Sequence, residues 1–186
     1  MFKKIFVALL SFVVILTPNG ASASSHAKSL QNLGMEEIMF AQMMIPHHEQ
    51  AISMSDTALK KSRNQGILKL SRQINSLQSS EVSQLTYWLR ATDSSMTMDH
   101  DMKMSGMLTT KELGSLKRLT GTTFDRTFLQ LMIKHHKGAI EMLGLISDSR
   151  NAEAAALAKA IKSAQSKEIT SMKQLLTKIK LEKLNA

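Results

Sequence analysis

Apolar residues recur every three or four positions along most of this chain, which is the spacing of amphipathic helices. It predicts one helix over Met35 to Lys61 and a second over Gln65 to Ala91, where Ile67, Leu70, Ile74, Leu77, Leu85, Trp88 and Leu89 form a stripe. A third long helix is expected to open at Thr122 with Asp125 and to run to about Ser147. A fourth, capped by Asn151, carries Leu157, Ile161, Met172, Leu175, Leu176 and Ile179 on one face. The stretch 92–108 between the pairs reads as a linker. The capping box Thr109-Thr110-Lys111-Glu112 then starts a short helix over about 109–120, with Leu113, Leu116 and Leu119 as its apolar face and Gly121 as its stop. Pro46 lies inside the first helix and should kink it, because it has no N–H for the Gln42 carbonyl.

The two halves repeat each other. MIPHHEQAISM at 44–54 returns as MIKHHKGAIEM at 132–142, with seven of the eleven positions identical at an offset of 88. At an offset of 87, Ser62-Arg63-Asn64 returns as Ser149-Arg150-Asn151, Leu70 as Leu157, Ile74 as Ile161, and Gln78, Ser79 and Glu81 as Gln165, Ser166 and Glu168. The unit is a helical hairpin, 35–91 and 122–184. Neither hairpin can bury its stripe alone, so the two should pair as a four-helix bundle with pseudo-two-fold symmetry, one domain over 24–186.

Ahead of it, Met1-Phe2-Lys3-Lys4, an apolar run from Ile5 to Leu16, Pro18-Asn19-Gly20 and Ala21-Ser22-Ala23 have the form of a secretory signal cleaved after Ala23. The apolar run is shorter than the roughly 20 residues of a spanning helix, so no stable membrane insertion is expected after cleavage. An uncleaved anchor is the alternative. The expected location is the periplasm or the exterior.

Composition narrows the class further. Aromatic residues are 4% of the chain and there are two prolines, 14 methionines and no cysteine among 186 residues. This favours an all-α protein and removes disulfides, thiolate metal sites and cysteine nucleophiles. The net charge is +9, and loss of Lys3 and Lys4 with the leader lowers it to about +7. The basic residues are scattered and stacking aromatics are scarce, so nucleic acid is not the expected partner.

Soft-metal chemistry must therefore use methionine and histidine. Met44, His47, His48 and Ala51 share a helix face at i, i+3, i+4 and i+7, flanked by Met43 and Met54; Met132, His135, His136 and Met142 repeat the arrangement. Packing one copy on the other would let a histidine from each converge with methionines. The linker adds Met96, Met98, His100, Met102, Met104 and Met107 on a segment that reads as too polar for a core. Thioether sulfur is a soft, neutral ligand that selects Cu(I), and Ag(I) by analogy, and imidazole suits copper too. Core packing is the plain alternative for the helical residues, and an oxidisable spacer for the linker. No Glu-x-x-His, HExxH, phosphate loop or nucleophile elbow is present, and no paired carboxylates share a face near the histidines, so no enzyme is predicted.

With Met-Ile-x-His-His-x-x-Ala-Ile-x-Met present twice, and Phe124-Asp125-Arg126 and Phe128-Leu129 ahead of the second copy, the chain resembles the ferritin-like family called domain of unknown function 305, from about Ser29 to Leu184. The first copy has Glu36-Glu37-Ile38 and Phe40 in place of that lead-in. The resemblance implies a secreted or periplasmic ferritin-like four-helix bundle that binds copper through Met and His and serves copper tolerance. The expectation is then an exported protein that sequesters Cu(I) or passes it to another copper-handling protein. Copper would sit where Met44, His47, His48, Met132, His135 and His136 converge, with further ions on the linker. Two other readings of the same residues stay open: a non-covalent haem electron-transfer bundle with His and Met axial ligands, and a metal-independent helical partner-binding module whose histidines respond to pH.

Overall fold

The computed structural model describes residues 32–98 and 104–184. The expected leader, and His100 and Met102 of the linker, lie outside the described residues. Among those residues the regular structure is entirely helical: α1 (Met35–Lys61), α2 (Gln65–Ala91), α3 (Thr110–Arg118), α4 (Gly121–Met142), a 3-10 turn over Leu143–Leu145, and α5 (Ala152–Leu184). None of these helices is long and apolar enough to cross a membrane.

Local chemistry sets the ends. The Gly34 N–H donates to Glu37 Oε2 at 2.7 Å to start α1, and Lys60 and Lys61 sit in its last turn, where the helix dipole favours cations. The two hairpin turns use equivalent asparagines. Asn64 Oδ1 accepts from the N–H groups of Gly66 and Ile67 at 2.9 and 3.3 Å, and Asn151 Oδ1 from Glu153 and Ala154 at 3.0 and 3.1 Å. Thr109 and Glu112 close the capping box of α3.

Two boundaries differ from the sequence expectation. Gly121 begins α4 at φ +56 rather than stopping α3, which already ends at Arg118 as the chain turns extended at Leu119. The expected Thr122–Asp125 opening is replaced by Thr120 at the N-cap, without a side-chain cap. At the other end α4 tightens into a 3-10 turn short of Ser147, because the Leu143 carbonyl accepts from both Ile146 and Ser147.

α1 packs along α2, α4 along α5, and the hairpins meet chiefly where α1 lies on α4. The result is a four-helix bundle with α3 beside α4. Its apolar interior is divided into two clusters. One holds Phe40, Met44, Trp88, Leu89, Met142 and Ile161. The other holds Ala51, Met54, Ile74, Phe124, Phe128, Met132 and Met172. Each of the four long helices feeds both clusters, and on each the segment between them carries buried polar residues: His47 and His48 on α1, Gln78 on α2, His135 and His136 on α4, Gln165 and Glu168 on α5, with the half-buried Glu81 also on α2. A polar belt thus crosses the middle of the bundle.

Candidate metal centre

The belt is assembled by the repeat. Ala51 and Ala139, both without exposure, sit one turn beyond the histidines and let α1 and α4 approach closely. The His47 and His135 rings face each other across that contact, with centroids 3.9 Å apart and planes tilted by 40°. Their chain neighbours point away, because adjacent helical residues diverge by about 100°. His48 is 6.5 Å from His47, and His136 is 6.3 Å from His135, between ring centroids. There is therefore an inner pair, His47 and His135, and an outer pair, His48 and His136.

Each outer histidine meets a carboxylate from the other helix of its own hairpin. His136 Nε2 donates to Glu168 Oε2 at 2.7 Å. His48 Nε2 stands 2.8 Å from Glu81 Oε2, an ion-pair distance without hydrogen-bond alignment. In the inner pair His47 Nε2 donates to the Ser105 carbonyl at 3.0 Å. A carbonyl or carboxylate oxygen can only accept, so the bonds of His47 and His136 place the ring proton on Nε2 and leave the lone pair on Nδ1, and the Glu81 carboxylate favours the same tautomer at His48.

Those lone pairs have no partner. Nδ1 of all four histidines is buried and unbonded, and so are Nε2 of His48 and of His135 and both amide atoms of Gln78 and of Gln165. Buried polar atoms without partners are rare enough that such a concentration calls for a ligand. Charge points the same way. Burial, reinforced by His48 and His136 and opposed by the Ser105 bond, lowers the His47 pKa to about 4. Burial and the neighbouring histidines hold His135 well below the ordinary range. Both rings are neutral near pH 7, so no proton has to leave before a lone pair is used. Among the described residues no three His, Asp or Glu side chains group as a metal site, so an ion held here needs sulfur as well as imidazole. Methionines bracket the histidines along α1 and α4, with Met43, Met44 and Met142 in one cluster and Met54 and Met132 in the other. Neutral imidazole beside thioether is a donor set for soft cations.

Comparison with known proteins places this architecture. The profile of the family described as "Domain of unknown function (DUF305)" matches residues 37–176, a span that contains the whole belt. The chain belongs to the DUF305 family. Among solved structures, a Streptomyces coelicolor DUF305 protein described as secreted is 26% identical, with a TM-score of 0.74 over 77% of this chain and 93% of that one. A DUF305 fragment from Deinococcus radiodurans is 29% identical, with a TM-score of 0.72 over 78% and 97%. CopM in its Cu(I)-bound form is 29% identical, with a TM-score of 0.64 over 76% and 96%; CopM structures with Cu(II) and with Ag are similar to the same extent of this chain. No curated protein sequence matches the chain.

This DUF305 bundle arranges three features in ways that its sequence does not spell out. Met44 and Met132, expected at one centre, belong to different apolar clusters on opposite sides of the belt. Single carboxylates do stand beside the histidines, one per hairpin, supplied by α2 and α5 rather than by the histidine helices, so they form no pair on one face. The linker is not wholly outside the core: Met98 and Met104 pack against the first cluster, while Met107 is half-buried and Met96 is 42% exposed.

The linker is fastened across the belt. Gln42 Nε2 donates to the carbonyls of Ser95 and Thr97. Gln50 clamps Leu108 in both directions, Nε2 to O at 3.0 Å and N to Oε1 at 2.8 Å. Between these points Gly106, at φ +77, lies on the backbone of α4 at Lys134 and His135.

Proposed function

We propose that this DUF305 protein is an exported, non-catalytic copper-binding protein that takes up Cu(I), and Ag(I) with it, at the histidine belt, and sequesters the ion or hands it to another copper-handling protein in the service of copper tolerance. The observation that carries the reading is the set of four buried, partnerless Nδ1 atoms at mid-bundle, with methionines on both flanks. Soft thioether and borderline imidazole favour Cu(I) over hard cations, and methionine persists in an oxidising compartment where paired thiolates would form disulfides. The similarity to CopM, which was crystallised with copper and with silver, supports the same ion class. Met98 and Met104, held against the first cluster by the strapped linker, extend the sulfur surface outward and give an incoming ion a route from Met96 and Met107.

Anaerobic titration of the protein with Cu(I) against a chromogenic chelator tests this. The chain should withdraw at least one ion from the chelator. A variant with Met96, Met98, Met102, Met104 and Met107 changed to Leu should keep the belt ion and lose any others. No competition by the unaltered chain would overturn the reading.

A further inference from the structure

Deepening that reading, and resting on it, we propose that Glu81 and Glu168 are positioning residues of the belt: each takes the Nε2–H of its histidine, turns Nδ1 toward the ion as the ligand atom, and supplies the negative charge that an arriving cation offsets.

The geometry occurs twice, independently. Glu81 and Glu168 are equivalent residues at an offset of 87, on α2 and α5, and approach His48 and His136 at 2.8 and 2.7 Å. They differ in alignment: Nε2 of His136 is hydrogen-bonded to its carboxylate, whereas Nε2 of His48 is at ion-pair distance without that bond. Both histidines are without exposure, and the carboxylate side chains are 14% and 10% exposed. Neither carboxylate has another hydrogen bond or ion pair among the described residues. A largely buried carboxylate calls for positive charge beside it as well as a hydrogen bond. A cation on the far nitrogen of the same ring completes the balance. Through the ring the carboxylate makes Nδ1 a better donor, the usual effect of a carboxylate behind a ligating histidine.

The inner pair supplies the contrast within one site. His47 is held by a neutral backbone carbonyl, and His135 meets no carboxylate, only the neutral backbone of His47 without an aligned hydrogen bond. The carboxylates are thus placed behind the outer histidines alone. A merely structural Glu–His pair would lock α1 to α2 and α4 to α5 and fix the same Nε2–H tautomer, yet would be indifferent to a metal on the other side.

The test uses the full chain with Glu81→Ala, Glu168→Ala, Glu81→Gln and Glu168→Gln. Ring tautomers are read in the metal-free protein by long-range ¹H–¹⁵N correlation, and Cu(I) affinity by chelator competition. In the unaltered protein His48 and His136 should carry the proton on Nε2. Each alanine variant should lose that preference at its own histidine and weaken Cu(I) by about 10- to 100-fold. Each glutamine variant, which keeps an acceptor but not the charge, should restore the tautomer and recover part of the affinity. A folded alanine or glutamine variant with unaltered Cu(I) affinity overturns the proposal, and so does an Nδ1–H tautomer in the unaltered chain. If an alanine variant fails to fold, its glutamine counterpart decides. Should the unaltered chain bind no Cu(I), the functional reading fails together with this one, a result distinct from unaltered affinity in the variants.

Discussion

The two copies of the repeat agree where they face the core and differ where they meet the segment inserted between them. The seven identical positions of the motif supply the buried histidines, methionines and alanines of the belt and its flanks, with Ile45 and Ile52, Ile133 and Ile140 beside them. The four differing positions are 46, 49, 50 and 53 against 134, 137, 138 and 141, and most of them hold the insert. Gln50 grips Leu108 through two hydrogen bonds, whereas its counterpart Gly138 leaves room for Ser105 and Gly106. Lys134, the counterpart of Pro46, donates to Glu112 of α3 at 2.8 Å and, with Thr109, holds that carboxyl at about 2. Glu141, the counterpart of Ser53, accepts from Ser105 Oγ. One linker cannot lie symmetrically on a two-fold pair, so duplication fixes the metal-facing chemistry and divergence docks the strap. The lone bond from His47 to Ser105, absent at His135, is that asymmetry reaching the belt.

The comparison breaks most sharply at Gly138. A Cβ added there would lie 2.1 Å from the Ser105 carbonyl oxygen and 2.5 Å from Gly106 Cα, both backbone atoms that cannot swing aside. Gly138→Ala should cost about 3 kcal/mol, the upper part of the overpacking range, although alanine is the better helix former. Gly144→Ala, where a Cβ meets nothing within 4 Å, should change stability by no more than about 0.5 kcal/mol. Urea denaturation of the two variants measures the contrast, and equal stabilities would mean the strap does not rest on α4.

A pH series sharpens the difference between the inner histidines and an unfolded chain. Unfolded histidine protonates near 6.5, whereas folded His47 resists until about 4. Between those values the unfolded state binds more protons, so stability present above pH 6.5 is lost as pH falls toward 4. His47 alone should account for on the order of 3 kcal/mol, and His135 acts in the same direction. Denaturation of the metal-free protein from pH 7.5 to 4 should show this loss, reduced in His47→Gln. A flat profile would mean that the inner pair is not buried and neutral.

The smallest effect tests where the copies agree. Asn64→Ala and Asn151→Ala each remove an equivalent two-bond cap and should each cost about 1 kcal/mol. Thermal melts differing strongly between them would show that the hairpins are not energetically equivalent.

Periodicity alone located the helices because each keeps a continuous apolar stripe, and the asparagine caps and the Thr109 box were readable from adjacent residue types. The belt was half legible. The histidines stood out as a repeated motif, and Gln78, Glu81, Gln165 and Glu168 stood in the same repeat alignment. These polar residues continue the buried stripe, Ile74 to Gln78 to Glu81 to Leu85, and Ile161 to Gln165 to Glu168 to Met172. A polar residue repeated inside an apolar stripe is the signal that would have placed both carboxylates at the histidines. The docking of Met98 and Met104, and the division of Met44 from Met132, depend on tertiary packing and had no local signature. Gly121 is ambiguous in the sequence because glycine permits φ above zero at either end of a helix, and only the fold shows which end it serves.

The most direct test of the account is X-ray absorption at the copper K-edge on the protein loaded anaerobically with one equivalent of Cu(I). An ion in the belt gives a first shell of nitrogen and sulfur together, and the nitrogen contribution disappears when His47, His48, His135 and His136 are replaced. A shell of sulfur alone in the unaltered protein would put the ion among the methionines of the first cluster and the linker, and would contradict the belt as the site.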